Sequence, residues 1–298
     1  MLTLAIPSQK GGVGKTTTTV NLGATLALNG QRTLIVDLEP QAQAGSALGV
    51  NLTPDQGEHS LGWLMQAALQ GIGKPDVLPH VQDVSAMLDP FDGAGTLGVL
   101  ASLEHTMTRA QEMFVTSDKQ HMGLLRDLLA SAASEYDICL IDTPPAVSSL
   151  NLVGLKAADA VVTLCNPEYA TVKGALVLRA AVQRLSEASD DHRPVFLGAF
   201  LNRANPPASE AIEDLHVQDM MLKGGLLPFK SRVRKNRLIS RAYADGVPAA
   251  VSNAGGVGRV YAALANELLT RLRTPRDQWD LPAPRVQDDQ EAAVTANA

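Results

Sequence analysis

The sequence predicts an α/β fold, in which a mostly parallel, twisted sheet carries helices on both faces. Short apolar runs of strand length alternate with longer runs whose apolar residues recur at helical spacing. Several short runs are apolar at nearly every position, as strands buried on both faces of a parallel sheet require. Two of them end in an acid, at Asp37 and Asp142. Because open α/β sheets place their chemistry at the carboxyl ends of strands, a site is expected at these acids.

The same patterns place each element in order. Gly30 ends the first helix, whose apolar residues recur at helical spacing, and prolines end the strand at 136–145. The predicted strands cover residues 2–6, 32–38, 97–100, 136–145, 160–165, 195–202 and 226–228. The predicted helices cover residues 17–29, 60–70, 104–115, 120–133, 148–158, 170–187, 209–222 and 254–273.

Domain organisation follows from where composition changes. Proline and glycine are scattered through residues 45–120, where we expect excursions from the sheet and no separate domain. Residues 1–274 are therefore predicted to form one domain. Residues 275–298 are rich in Pro, Asp, Gln and Ala and are predicted to form a disordered tail.

Composition excludes several classes of protein. A net charge of −6 argues against a generally basic nucleic-acid binder but leaves room for a local basic patch. Cys139 and Cys165 lie inside apolar runs and are expected to be buried free thiols, and without a CxxC pattern no zinc or iron–sulfur site is indicated. No signal peptide is recognised, and no apolar run approaches the roughly 20 residues of a bilayer span, so we expect a cytoplasmic protein.

A glycine-rich loop joins the first predicted strand to the first predicted helix, the context that a phosphate-binding loop requires. Glycines let the backbone N–H groups turn towards a polyphosphate, and the helix that follows adds the positive end of its dipole. Lys15 is placed to reach the β- and γ-phosphates of a nucleotide, and the Thr16 hydroxyl to bind Mg²⁺. The predicted nucleotide-binding residues of the loop are Gly11, Gly12, Val13, Gly14, Lys15, Thr16 and Thr17.

The loop departs from the standard Walker A pattern, because Gln9 replaces its first glycine and Lys10 precedes the paired glycines. K-G-G-x-G-K-T-T is the deviant Walker A motif, and through it the chain resembles the ParA/MinD family of P-loop ATPases. D-L-E-P-Q at 37–41 resembles the family's second signature, and I-D-T-P-P at 141–145 its Walker B segment. Glu168-Tyr169 and the G-V-P sequence at 246–248 match later segments. The resemblance covers nearly all of residues 1–273 and is weakest over 45–120. Within the family, the chain resembles the short, Soj-like ParA proteins.

The resemblance implies roles for single residues. Asp142 would hold Mg²⁺ together with Thr16, and Asp37 would lie near the metal. Lys10 resembles the signature lysine that crosses an ATP-bound homodimer to contact the partner's nucleotide, which makes dimerisation depend on ATP. Asn202 and Pro228 match positions that line the adenine pocket. ATP and Mg²⁺ are therefore the expected substrate and cofactor.

Glu39 is the position where the chain leaves the family's usual D-x-D-P-Q pattern, whose second acid orients the attacking water. Glutamate keeps the carboxylate but adds a methylene, and a misplacement near 1 Å can cost on the order of a hundredfold in rate. Two hypotheses stay open. Glu39 positions the water because the backbone compensates, or hydrolysis is slow and the ATP dimer is long-lived, with Asp37 the more dependable acid.

A basic stretch follows the last predicted strand. By itself it is read equally well as a solvated helix face or as a nucleic-acid contact. The resemblance implies sequence-independent contacts with double-stranded DNA in the ATP dimer, and such binding falls steeply with salt. The predicted DNA-binding residues are Lys230, Arg232, Arg234, Lys235, Arg237 and Arg241.

The leading functional hypothesis is a nucleoid-associated ATPase that drives chromosome or plasmid partition with a ParB-like partner, which stimulates hydrolysis. A related ATPase that positions a protein cargo on the nucleoid by the same cycle is an alternative, because the difference lies in the partner. A MinD-like membrane ATPase is disfavoured, since the C-terminal segment is acidic and Ala-rich where a basic amphipathic helix is needed. A metal-cluster carrier is disfavoured, since both cysteines lie in strands. A scaffold without hydrolysis remains open if Glu39 is inactive.

Overall fold

A computed structural model describes residues 1–73, 75–117, 119–145, 148–189, 192–206, 212–279 and 281–282. Its strands are β1 Leu2–Ile6, β2 Thr33–Asp37, β3 Gln82–Asp83, β4 Leu97–Leu100, β5 Ile138–Asp142, β6 Ala160–Cys165, β7 Val195–Ala204 and β8 Arg232–Arg234. They form an eight-stranded sheet in the order β3-β4-β2-β5-β1-β6-β7-β8. Every neighbouring pair is parallel except β3 and β4, which are antiparallel at one edge. The predicted mostly parallel sheet is confirmed.

Helices surround this sheet. In the described part of the chain they are α1 Lys15–Leu28, α2 Gln43–Ala47, α3 Leu61–Leu69, α4 Glu104–Thr116, α5 Leu124–Leu129, α6 Ser149–Ala157, α7 Tyr169–Glu187, α8 Ile212–Lys223, α9 Arg237–Ala244, α10 Ala249–Ser252 and α11 Arg259–Arg273. Side chains alternate along each strand, so β1 directs Leu4 and Ile6 into a core shared with α1 and α11. Ala5 of the same strand faces the opposite core, which is shared with α3 to α8. The predicted helix layers on both faces are confirmed.

Side-chain caps explain where two predicted helices begin. The Ser60 hydroxyl accepts a hydrogen bond from the Trp63 amide at the start of α3, and Ser148 accepts one from Asn151 at the start of α6. A serine at this position satisfies an amide that the first helical turn leaves without an internal partner. Both helices lie within one residue of their predicted bounds.

The predicted strand at residues 226–228 is wrong. Leu227 has φ 48°, a left-handed conformation that a strand cannot contain. The buried Arg271 guanidinium holds the segment by donating to the carbonyls of Leu197, Leu227 and Pro228. The last strand is β8, which lies inside the basic stretch, and α9 follows it. The basic stretch is thus part of the sheet and of a helix.

Two predicted helices are interrupted. Residues 120–133 divide into a 3₁₀ turn at Lys119–Gly123, the helix α5 and a second 3₁₀ turn at Ala130–Ala132. The last helix begins with a π-helical turn at Ala254–Gly258, where the Asn253 side chain accepts from the Val257 amide. That side-chain bond takes a helical amide away from the usual ladder and widens the turn.

The first residues of the segment predicted as a tail, 275–279, have local structure. Arg276–Gln278 form a 3₁₀ turn, and the Trp279 indole lies 5.2 Å from the Arg271 guanidinium and donates to the Thr274 carbonyl. The tail therefore contributes to the fold as far as Trp279. Residue 280 and residues 283–298 lie outside the described part of the chain, as do residues 209–211 of the predicted helix at 209–222.

Both cysteines are buried, and burial raises the pKa of both thiols. They are core side chains, as predicted. Among the helices that the structure describes, none is both long enough and apolar enough to span a bilayer.

Candidate active site

The glycine-rich loop lies between β1 and α1, at the edge of the sheet where the parallel strands end. Gly12 has φ 70° and Gly14 has φ 101°, a conformation that side chains rarely adopt. A Cβ atom on Gly14 would also lie 2.6 Å from Nδ2 of Asn202. Among the described residues no side chain caps the start of α1, so its first amides are available to a phosphate.

Lys15 is the first residue of α1, and it is only 7% exposed. Burial lowers the pKa of its ammonium group, while the carboxylates of Asp142 and Glu39 raise it. The ammonium group is therefore held near two acids in a place with little water. A phosphate group delivered by the loop would supply the negative charge that this cation can bind strongly.

Asp142 ends β5 and is fully buried. Its Oδ1 atom accepts a hydrogen bond of 3.4 Å from the Thr19 hydroxyl, and its Oδ2 atom has no hydrogen-bond partner in the described part of the chain. Burial raises the pKa of Asp142, and hydrogen bonding from Thr16 and the charge of Lys15 oppose that rise. An unsatisfied buried carboxylate oxygen beside a threonine hydroxyl fits Mg²⁺, which prefers oxygen ligands.

Asp37 ends β2 directly beside Asp142, because the two residues are register partners. Both of its oxygens are bound to backbone: Oδ1 accepts from the Glu39 amide at 3.2 Å, and Oδ2 from the amides of Ala44 and Gly45 at 3.0 and 3.1 Å. Burial and the charge of Asp142 raise its pKa well above the ordinary value. The carboxylate therefore shapes the turn that carries Glu39, and the metal contact expected of Asp37 stays a prediction.

Glu39 follows that turn and is 9% exposed. Burial raises the pKa of its carboxyl group, whereas Lys15 and the Gln41 amide lower it. Its side chain lines the same cavity as Lys15, Thr16 and Thr17. Glu39 and Lys15 also alter each other's pKa, so the carboxylate lies within electrostatic reach of the loop lysine despite the extra methylene.

Lys15 and Glu39 line one cavity of about 1030 Å³, whereas the fully buried Asp37 and Asp142 are not among its lining residues. The loop and the Glu39 turn form one side, and the end of β7, β8 and α9 form the other. That volume is at the upper end of the range of small-molecule sites. The lining residues are Gly11, Gly12, Gly14, Lys15, Thr16, Thr17, Glu39, Gln41, Gln43, Pro145, Asn202, Arg203, Val233, Arg234, Lys235, Asn236, Arg237, Ile239, Ser240, Tyr243 and Tyr261.

Comparison with known proteins assigns the family. A family model described as an AAA domain matches residues 1–193. The chromosome partitioning protein ParA of Myxococcus xanthus is 32% identical over 272 residues, which cover 90% of this chain and 88% of that protein. The chain belongs to the ParA/MinD family of P-loop ATPases. The chromosome-partitioning ATPase Soj of Treponema pallidum is 29% identical over 271 residues, 90% of this chain and 97% of that protein.

Solved structures agree on the fold of this ParA/MinD family member. Apo McdA from Cyanothece superposes with a TM-score of 0.75 at 21% identity, over 90% of this chain and 99% of that one. A McdA variant in complex with ATP gives a TM-score of 0.73 at 20% identity, over 93% and 98% of the two chains. Family membership makes the chain an ATP hydrolase, and the assignment of the loop as its phosphate-binding element stays a prediction.

Lys10, the predicted signature lysine, lies just before the paired glycines of the loop and is exposed. Lys10 forms an ion pair with Glu168, and the two side chains are 50% and 47% exposed. The hydrogen bond from Lys10 holds the pKa of Glu168 below its usual value. Exposed ion pairs contribute little to stability, so this pair can open at a cost of about 1 kcal/mol or less. The Lys10 ammonium group can therefore exchange Glu168 for an anion outside its own chain.

The two residues predicted to line the adenine pocket lie in different places. Asn202 is buried at the end of β7, lines the cavity and donates to the Val13 carbonyl at 2.6 Å. Pro228 is buried beside Arg271, which binds its carbonyl, and it does not line the cavity. Only Asn202 is thus brought to the loop. Pro228 lies at the end of the predicted strand 226–228, and the sequence pattern there does not indicate that Arg271 binds its carbonyl.

The six predicted DNA-binding residues separate into two groups. Arg234, Lys235 and Arg237 line the nucleotide cavity. The other three, Lys230, Arg232 and Arg241, lie outside it, and the Arg232 guanidinium donates to Gln218. The Arg241 side chain is 82% exposed, with Asp245 at 4.0 Å. Part of the basic stretch therefore lines the same cavity as the glycine-rich loop.

Sequence reasoning missed Arg203 and Tyr243 in this cavity. Tyr243 lies on α9, and burial together with Asp37 and Asp142 raises the pKa of its hydroxyl. Arg203 follows Asn202 at the end of β7. Neither lies in a glycine loop or an acid-ended strand. The position of Arg203 at a strand end is the one sequence signal that could have drawn attention to it.

Proposed function

We propose that this ATPase binds ATP and Mg²⁺ in the cavity, forms a homodimer on ATP binding and then binds double-stranded DNA without sequence preference. In the cell it would be cytoplasmic and nucleoid-associated, and it would move DNA with a ParB-like partner that stimulates hydrolysis. The observation that carries the proposal is the buried Oδ2 atom of Asp142, which has no hydrogen-bond partner among the described residues, together with the exposed Lys10 in the glycine-rich loop.

Phosphoryl transfer requires mostly positioning and charge stabilisation, and the residues divide this work. The loop amides and Lys15 hold the phosphates. Thr16 and Asp142 would hold Mg²⁺, which neutralises charge on the β- and γ-phosphates, with Asp37 behind them. Glu39 orients the attacking water from the turn that Asp37 fixes. Lys10 would release Glu168 and reach the nucleotide of a second protomer.

DNA binding is assigned to the outer part of the basic stretch. Arg241 is exposed and lies one helical turn from Arg237, which lines the cavity. A nucleotide beside Arg237 and DNA beside Arg241 would then contact neighbouring positions of the same helix. The ParA of Myxococcus xanthus and the Soj of Treponema pallidum are both named for chromosome partitioning, which supports DNA as the cargo.

The test measures duplex DNA binding by fluorescence anisotropy with no nucleotide, with ADP and with ATP, each with Mg²⁺. We expect binding only with ATP, with an affinity that falls at least about tenfold between 50 and 200 mM salt. Arg241→Gln should weaken DNA binding about threefold while the ATPase rate without DNA stays unchanged. Lys10→Ala should bind ATP but lose both the dimer, measured by light scattering, and DNA binding.

Arg109→Gln is the matched control. Arg109 is an exposed arginine on α4, so this substitution removes one positive charge at a different place on the surface. DNA binding that is equally strong without nucleotide would contradict the proposal, as would a Lys10→Ala protein that still dimerises on ATP. A ParB-like protein that raises the ATPase rate favours DNA partition. Stimulation by a protein cargo adaptor alone would favour the cargo-positioning alternative.

A further inference from the structure

Arg203 has a backbone conformation that an arginine does not adopt without cost. Its φ is 53°, in the left-handed region. The pairing of β7 with β8 also shifts register between Asn202 and Ala204, so Arg203 is the extra residue of a bulge. Bulges at the ends of strands redirect side chains, and strain of about 1–3 kcal/mol is retained mainly at functional positions.

The bulge directs Arg203 towards the nucleotide cavity. The residue is exposed, although both of its neighbours in the strand are buried, and it lines the cavity together with Gly12 and Gly14. Arg203 also acts on the ion pair of Lys10 and Glu168, because its charge adds to the effect of Lys10 in lowering the pKa of Glu168. A cation on this wall faces whatever occupies the loop.

The order of the strands decides which part of a nucleotide Arg203 meets. Asp142 on β5 lies on one side of β1 and the loop, and β7 lies on the other side, beyond β6. Three strand spacings, about 14 Å, separate β5 from β7. Phosphates held near Asp142 and Thr16 leave the nucleoside end of the molecule pointing towards β7.

We propose that Arg203 binds the nucleoside end of ATP, with its planar guanidinium against the base. The proposal rests on the proposed binding of ATP in this cavity. Arginine suits such a contact, because its guanidinium is planar, permanently charged and stacks on aromatic faces. Since the base does not change during hydrolysis, the contact stabilises substrate and transition state equally. It therefore acts on KM and leaves kcat unchanged.

The experiment compares Arg203→Gly and Arg203→Lys with the wild-type protein. Glycine accepts φ 53° without strain, so Arg203→Gly removes the side chain while keeping the bulge. Arg203→Lys keeps the charge and removes the planar group. ATPase kinetics give KM and kcat, ADP binding gives the affinity for the product, and inorganic tripolyphosphate serves as a competitive inhibitor without a nucleoside. Arg109→Gln controls for the loss of one positive charge.

We expect both Arg203 variants to raise KM for ATP about tenfold and to weaken ADP binding by a similar factor. The values of kcat and the inhibition by tripolyphosphate should stay unchanged. An unchanged KM in Arg203→Gly would overturn the proposal, and so would a loss of tripolyphosphate inhibition, which would place Arg203 on the phosphates. If Arg203→Gly does not fold, Arg203→Asn replaces it, since asparagine tolerates this conformation. A wild-type protein that neither binds nor hydrolyses ATP would instead overturn the proposed function itself.

Discussion

The two sides of the nucleotide cavity differ in how firmly their charged groups are held. Lys15, Glu39 and Asp142 are buried on the side of the proposed magnesium site, which we call the metal side, and each alters the pKa of another. Arg203 and Lys235 are exposed on the opposite side, which is formed by β7, β8 and α9. A buried, mutually constrained group is preorganised for chemistry, whereas an exposed one can follow a ligand. The metal side is therefore suited to hydrolysis and the opposite side to recognition.

The largest difference between the two sides is expected from removing one lysine at a time. Lys15→Ala removes the buried cation that faces the phosphates, and the ATPase rate should fall by at least about a hundredfold. Lys235→Ala removes an exposed cation from the same cavity and should leave kcat within about threefold of the wild-type value. Steady-state ATPase assays at saturating ATP measure both variants. Equal losses of kcat would mean that the two walls share the chemistry.

The metal side could be predicted from the sequence because its parts lie next to one another in the chain. A strand, a glycine loop and a helix start determine where Lys15 and Thr16 lie, and a parallel register then brings Asp142 to them. For Asp37, the second acid at that edge of the sheet, the sequence predicts the position but not the hydrogen bonds. Asp37 was predicted near the metal, but the amides of Ala44 and Gly45 occupy one of its oxygens. No sequence pattern showed that the turn after β2 would fold back onto this carboxylate.

The opposite side could not be predicted because contacts between distant residues build it. The segment before β8 follows no strand pattern, since Arg271 of α11 binds the carbonyls of Leu227 and Pro228. β8 is only three residues long and basic at both ends, so its sequence reads as a solvated charge run. The bulge at Arg203 exists only where β8 pairs with β7. The periodicity of apolar residues indicates which face of a segment is buried, but it does not indicate which strands pair or where a bulge forms.

Glu39 gives a second way to sharpen the comparison. Glu39→Gln keeps the shape of the side chain and removes its charge, so the ATPase rate should fall about tenfold to a hundredfold while ATP still binds. Glu39→Asp restores the acid that is usual in the family. Single-turnover hydrolysis, with nucleotide binding measured separately, distinguishes the two open hypotheses. A faster Glu39→Asp protein would mean that the extra methylene slows hydrolysis, whereas a slower one would mean that the turn is built for glutamate.

If Glu39→Gln hydrolyses ATP at the wild-type rate, Glu39 does not orient the water. The acid would then have to come from elsewhere on the metal side. Asp37→Asn is the matched variant for this case, because it keeps the size of the side chain and removes its charge at the end of the neighbouring strand, while one accepting oxygen becomes an amide donor. Loss of hydrolysis in Asp37→Asn alone would transfer the role to the deeper carboxylate.

Tyr243 connects the two sides, and its substitution should have the smallest effect. It is 39% exposed on α9, yet burial, Asp37 and Asp142 all raise the pKa of its hydroxyl, so the charges of these acids act on that hydroxyl. A single hydrogen bond contributes about 0.5–1.5 kcal/mol, so Tyr243→Phe should raise KM for ATP about threefold and leave kcat unchanged. Ser240→Ala, which removes a hydroxyl from the same helix and cavity, is the control. A fall in kcat for Tyr243→Phe alone would show that α9 takes part in hydrolysis, and the basic helix would then respond to the reaction itself.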